Sequence, residues 1–382
     1  MPASAAVTIS ASHTVERRSA SDRRLRVALV APPWLPVPPP GYGGIEYVIA
    51  ELSDGLVARG HEVTVLAAPG SRTRARVVAL LEDAYPKDMG ATIHDVDHVA
   101  RALEVVDAAA AAERPFDILH DHSGFALFAM ADRVGVPVLH TLHGPFTPAN
   151  TVFYGRHAHK AWVSGLSQAQ LADAPPNLRS VGVIPNPIDF EAWPFQAEKE
   201  RYLLWMGRMN EDKGAHRAIA AARAADLPLV IAGPVQPGQQ PFFDANVAPY
   251  VDGDRVRYVD EVGGERKRRL TAGAAALLMP IRWAEPFGMV MIEAMACGTP
   301  VVAFPEGSAP EVVIDGETGF VVDDVDEMAA AIARLGEIDP ARCRASVAER
   351  YAVDVVAAAY ESAYHRVIEA ENAVASAGGR PS

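Results

Sequence analysis

Cysteine is nearly absent from this chain: its 382 residues include two, Cys297 and Cys343, and no CxxC pair. That scarcity excludes a disulfide framework and a thiolate zinc site, and it leads us to expect a reducing cytoplasm. No run of about 20 apolar residues is present to span a bilayer. Missing too are a GxGxxG fingerprint, a GxxxxGK[ST] phosphate loop, a GxSxG elbow and an HExxH helix. Dinucleotide binding of the usual kind, P-loop chemistry and serine or zinc hydrolysis are therefore disfavoured. Basic charge is also scarce, and the net charge of −13 opposes general nucleic-acid binding.

What is present is unevenly placed. Residues 1–190 carry 16 Lys/Arg against 19 Asp/Glu, whereas 191–382 carry 19 against 29. Ten of the twelve histidines lie in the first half, which suggests a different task for each half. The first 24 residues are rich in Ala and Ser, carry Arg17, Arg18, Arg23 and Arg24, and lack an apolar signal core. They are expected to form a disordered tail. The basic run Arg266, Lys267, Arg268, Arg269 is read as a solvated helix face, with peripheral membrane contact as the alternative.

The length exceeds what one hydrophobic core usually serves, so two domains are expected. Short apolar, β-branched runs occur at residues 25–31, 62–67, 116–120, 136–140 and 181–185, with helical patterns between them at 46–59 and 99–113. Pro185, Pro187 and Pro194 then interrupt the periodicity. Alternation resumes at 202–206, 229–232, 256–259, 275–279, 301–304 and 320–322. This pattern predicts α/β architecture with two doubly wound parallel sheets, whose ligands bind beyond the carboxyl ends of the strands. An alanine-rich segment at 352–374, with Tyr360 and Tyr364 four apart, predicts a final helix packed across both domains.

Several constellations fall at those strand ends. Gly41, Gly43 and Gly44 precede a helix, where backbone can approach a phosphate closely. Gly207, Arg208 and Lys213 follow a strand and place two cations beside a helix start, which suits a diphosphate. His143 stands before Gly144 at a strand end, where a sugar-contacting or proton-handling histidine would sit. His120 and His122 share a strand face but lack further ligands at metal spacing. Ser164–Ser167 and Pro185–Asp189 end two more strands, as cleft lining or as simple turns. The most informative stretch is EPFGMVMIEAMACGTPVVA. It sets Glu285 and Glu293 on either side of a glycine turn that opens a helix. Its amides suit phosphate and its carboxylates suit sugar hydroxyls.

In order, PPGYGGIE, LHTLHG, VIPNPID, GRMNEDKG, EPFGMVMIEAMACGTPVVA and PEVVIDGETGFVV resemble a retaining glycosyltransferase of family 4. The resemblance spans roughly residues 25–370 and implies the GT-B architecture of two Rossmann-like domains around a cleft. It implies a tail at 1–24, an acceptor-binding domain at 25–190, a nucleotide-sugar domain at 191–355 and a crossing helix with tail at 356–382. Glu285 would stand near the donor sugar hydroxyls and Glu293 on the ribose, while Phe287, Gly288, Met289 and Val290 would present amides to sugar and diphosphate. Arg208 and Lys213 would neutralise the leaving diphosphate. Gly43 and Gly44 would lie against the phosphates, and His143 would sit close to the transferred sugar. The implied reaction is hexosyl transfer from a nucleotide sugar, UDP-glucose or a relative, to a hydroxyl acceptor, with no required cofactor or metal. GDP-mannose-dependent transfer is the near alternative; an epimerase of the same fold or a non-catalytic sugar-nucleotide-binding module stands further off. The opening through RGHEVT is similar to a bacterial subgroup of glucosyltransferases.

Overall fold

The β-branched runs become short, deeply buried strands because their residues are apolar on both faces, as parallel sheets require. The computed structural model describes residues 23–41 and 43–377. Most of the expected tail therefore lies outside the described residues.

In the first domain the strands are β1 (Arg26–Val30), β2 (Glu62–Ala67), β3 (Arg76–Ala79), β4 (Ile118–Asp121), β5 (Val138–Thr141), β6 (Trp162–Gly165) and β7 (Ser180–Val183). They form one parallel sheet in the order β3-β2-β1-β4-β5-β6-β7. The second domain contributes β8 (Leu203–Met206), β9 (Leu229–Ala232), β10 (Val256–Tyr258), β11 (Ala276–Met279), β12 (Val301–Ala303) and β13 (Gly319–Val321). Their order is β10-β9-β8-β11-β12-β13, again parallel. Strand order reverses direction between β1 and β4 in one sheet and between β8 and β11 in the other. Those reversals open the crevices in which ligands of such sheets bind.

Close backbone approach in the second sheet depends on glycine. Gly233 has φ +152°, and a Cβ there would sit 1.8 Å from the Gly207 carbonyl oxygen. No larger residue fits.

The final helix, Val353–Ser376, lies against the first domain, where Val356, Tyr360, Tyr364 and Val367 join the core beneath β1 and β2. The preceding helix, Pro340–Tyr351, packs on the second domain through Cys343 and Val347. The crossing expected of one helix is thus shared by two, broken at Ala352, whose ψ of 145° is not helical. Among the described residues no helix is long and apolar enough to cross a membrane.

Candidate functional site

Both reversal points open onto one cleft of about 710 Å³ between the domains. The first domain lines it with Trp34 and Leu35 beyond β1, His122 to Phe125 beyond β4, and His143 and Gly144 beyond β5. The second lines it with Gly207 and Arg208 beyond β8, and with Trp283 and Glu285 to Val290 beyond β11. The cleft therefore gathers all the expected site residues: Gly43, Gly44, His143, Arg208, Lys213, Glu285, Phe287, Gly288, Met289, Val290 and Glu293.

The glycine loop gains its shape from steric exclusion. Gly43 has φ +147°, and a Cβ there would meet Pro39 Cγ at 2.8 Å, Glu46 Oε2 at 2.9 Å and Leu35 Cδ1 at 3.0 Å. Gly44 differs: a Cβ would meet no atom within 4 Å, although the residue faces the cleft. Its smallness leaves space rather than relieving an internal clash. The loop also approaches the second domain, since a Cβ on Gly263 would lie 3.5 Å from Gly41 Cα.

On the opposite wall, the Lys213 ammonium is bound to Glu285 Oε2 and lies 4.5 Å from the centre of the Trp283 ring. Trp283 Nε1 donates to the same carboxylate oxygen at 3.1 Å. Glu285 is thus fixed by a cation and an indole before any ligand arrives. The loop behind it is held by Ser308, whose N–H donates to the Glu285 carbonyl at 2.9 Å and whose hydroxyl donates to the Phe287 carbonyl at 2.8 Å. Phe287 itself is a core residue, edge-on to Tyr351 at 5.5 Å, so its backbone is the part available to a ligand. Gly288, with φ +78°, caps the helix Met289–Ala296, whose first N–H groups point out of the helix as its orphan donors.

Glu293 sits in that helix and accepts from Lys267 Nζ at 2.6 Å, while its buried Oε2 has no partner among the described residues. Lys267 corrects the expectation of a purely solvated basic face. Arg266 and Arg269 are exposed, but Lys267 and Arg268 turn into the cleft. Among the described residues Arg208 makes no ion pair, which leaves its guanidinium available at the end of β8.

In the first-domain wall, burial shifts several titratable groups toward their neutral forms. His143 Nε2 meets His122 Nδ1 at 2.9 Å, and burial with nearby His140 pushes His143 down to about 3. His120 is buried between the Tyr364 hydroxyl and Thr141 Oγ1, each at 2.7 Å, and burial drives it well below the usual imidazole range. The His120/His122 pair is therefore part of a hydrogen-bonded interior. Among the described residues no group of three or more His, Cys, Asp or Glu is placed to hold a metal ion. Burial raises Glu46 to about 7 and Glu51 to about 8, and Glu51 accepts from the Asp189 N–H at 3.0 Å.

Glu46, Glu51 and Trp283 were not singled out from the sequence, and Lys267 and Arg268 were read only as part of a solvated basic face. Glu46 closes the motif PPGYGGIE and Trp283 stands beside another, which was the available signal. The basic run gave no sign of Lys267's partner, because that depends on how the helix after β10 rotates toward Glu293.

The model for Glycosyl transferases group 1 matches residues 189–350, and that for Glycosyltransferase Family 4 matches 42–192. The chain is 29% identical to the glycogen synthase of Mycobacterium tuberculosis over 363 residues, covering 80% of this chain and 84% of that protein. It is 28% identical to the phosphatidyl-myo-inositol mannosyltransferase of Mycolicibacterium smegmatis, covering 90% and 94% respectively. A solved glycosyltransferase involved in avilamycin A biosynthesis shares 31% identity with a TM-score of 0.69, over 91% of this chain and 98% of its own. With two Rossmann-like sheets facing one cleft and those matches along nearly the whole length, the chain belongs to the family 4 glycosyltransferases of GT-B fold.

Proposed function

We propose that this enzyme transfers a hexosyl group from a nucleotide sugar, UDP-glucose or a similar donor, to a hydroxyl of an acceptor, with retention of configuration. The observation that carries this reading is the wall built from Lys213, Glu285 and the unpaired Arg208 beside the helix start at Gly288. A hexose with several hydroxyls finds a fixed acceptor in Glu285, and a diphosphate finds Arg208, Lys213 and the amides near Met289 and Val290. Glu293, through its unpartnered oxygen, is assigned to the ribose hydroxyls.

In this reaction the bond between the anomeric carbon and the β-phosphate oxygen breaks, and its electron pair passes to that oxygen. Arg208 and Lys213 stabilise the charge that develops there without first reorganising. The acceptor oxygen bonds to the anomeric carbon on the same face, and its proton passes to the departing phosphate. Neutral His143 suits a place beside the transferred sugar, because it can donate or accept a hydrogen bond without adding charge. Gly44 leaves room for the phosphates opposite. The first domain is assigned to the acceptor and the second to the donor. No resident metal or cofactor takes part in this scheme, and a cytoplasmic location fits it.

The test is nucleotide release from a panel of UDP-, GDP- and ADP-sugars, with and without EDTA, followed by anomer analysis of any product. Release from UDP-glucose or a close relative, unaffected by EDTA, supports the reading. Release from GDP-mannose instead would move the assignment to mannosyl transfer, as in the mycobacterial relative. No turnover or binding of any sugar nucleotide would overturn it.

A further inference from the structure

The first-domain wall contains a feature that donor chemistry does not use. Glu46 is 5% exposed and lines the cleft, yet among the described residues its carboxyl group has no side-chain partner. Burying a carboxyl group served only by its own backbone amide is costly, so such a group facing a ligand cavity points to a ligand that completes it. Its Oε2 and Leu35 Cδ1 converge on one point, within 2.9 and 3.0 Å of where a Gly43 Cβ would lie. A polar atom and an apolar one thus meet at the floor of the same pocket.

Toward solvent the wall becomes apolar. Met89 is 55% exposed and Phe125 48% exposed, and both line the cleft. Phe125 is braced edge-on by Phe153 at 5.1 Å and at a tilt by Tyr154 at 5.6 Å, so its ring is held in place rather than free to fold away. Trp34 also lines this side. Two further exposed apolar residues, Ile93 and Val96, stand three apart on the helix that begins at Thr92, three residues after Met89. Scattered exposed apolar side chains need no explanation, but Met89 and Phe125, exposed while lining the same cavity as Trp34 and Leu35, do.

Resting on the transferase reading, we propose that the acceptor is amphipathic: a polar, hydroxyl-bearing end donates a hydrogen bond to Glu46, and an alkyl or acyl part lies along Leu35, Phe125 and Met89. Glu46 is then a specificity-determining residue, and the apolar rim extends the site beyond the reacting hydroxyl. The raised affinity of Glu46 for a proton follows from the same burial, opposed only by its own backbone amide. A carboxyl group held this way accepts a hydroxyl more readily than it tolerates a second anion, which disfavours an acceptor whose charge sits at that point.

The experiment measures binding of monomeric octyl β-glucoside and methyl β-glucoside to the full chain with saturating UDP. Octyl glucoside is kept below its micelle concentration. The expected result is at least about tenfold tighter binding of the octyl compound. Phe125→Ala and Met89→Ala should each remove most of that difference and leave the methyl compound unchanged. Glu46→Gln should weaken both compounds by about fivefold, because both share the polar end. UDP affinity, which reports the donor reading separately, should not change in any of the three variants, and it also certifies that they are folded. Equal binding of the two glucosides, no binding of either, or an unchanged preference in Phe125→Ala would overturn the proposal. So would binding to phosphatidylcholine vesicles without octyl-glucoside selectivity, which would assign the rim to a membrane surface instead. Should the wild type fail to bind UDP, the donor assignment falls, and the same glucoside comparison is made without nucleotide.

Discussion

The first domain meets the cleft with several titratable groups that burial shifts toward their neutral forms, whereas the second meets it with ion pairs. His122 and His143 are pushed down and Glu46 and Glu51 pushed up, all chiefly by burial. Across the gap, Lys213 pairs with Glu285 and Lys267 with Glu293, with side chains 10–22% exposed. The difference separates two kinds of recognition. A wall of fixed charges suits a diphosphate whose negative charge grows during reaction, because the field is already oriented. A neutral wall discriminates by shape and by single hydrogen bonds, and it leaves an incoming hydroxyl undisturbed by competing ions.

The comparison can be broken most directly on the charged wall. Lys213→Ala should lower kcat by about 10²–10³-fold, the usual loss when one preorganised donor to developing charge is removed. Glu285→Ala should cost a similar factor, and normal transfer in either variant would contradict the roles given. Nucleotide release under saturating donor is the measurement.

Gly307→Ala probes the scaffold behind the same wall. Its φ is +56°, and a Cβ would lie 2.4 Å from both the N and O of Glu285. Backbone must move, so a loss of about 3 kcal/mol of stability is expected together with weakened donor binding. Chemical denaturation and UDP titration would read the two effects, and an unperturbed Gly307→Ala would sink the steric argument.

The neutral wall predicts a pH response of defined sign. His98, lowered to about 4, and His120, His122 and His143 all bind protons less readily folded than unfolded. Their contribution is complete above the ordinary value of 6.5 and is lost as pH falls toward the folded values. Glu46 runs the other way: its contribution is complete below 4.5 and is lost as pH rises through about 7. Between pH 4.5 and 6.5 the histidines outnumber the carboxyls, so Tm should fall by several degrees on acidification. Glu46→Gln should make that fall steeper, which calorimetry across the same pH range would detect.

The smallest effect expected is from Tyr360→Phe. Its hydroxyl lies 3.0 Å from Thr141 Oγ1 in the buried network beneath the first wall. Removing it should cost about 1 kcal/mol of stability and leave kcat unchanged. A large loss of activity would show that the network does more than support the sheet.

Legibility in the sequence followed the same division. The second domain was readable because its chemistry is local: Glu285, the Gly288 turn and Glu293 fall within nine residues and one helix start. Strands β2 and β9 matched their apolar runs end to end, since both are buried along nearly their full length. The strand β3 escaped notice because Arg76–Ala79 is a half-exposed sheet edge, its apolar run 77–81 preceded by Arg72, Arg74 and Arg76. The cleft roles of Lys267, Glu46 and Phe125 escaped for another reason. Their importance comes from which way a helix faces and what it faces, and single-residue chemistry carries no record of either.

The break at Ala352 has a consequence for the order in which the chain can mature. Tyr364 and Tyr360 supply the hydroxyls that meet His120 and Thr141, yet they lie in a helix that follows the whole second domain in sequence. During synthesis the first domain emerges without this strip, and its interior polar groups must wait until the second domain has been made. The amino-terminal half is thereby a lock whose key is cut well after it, so that a chain stopped before this helix is left without a finished first wall.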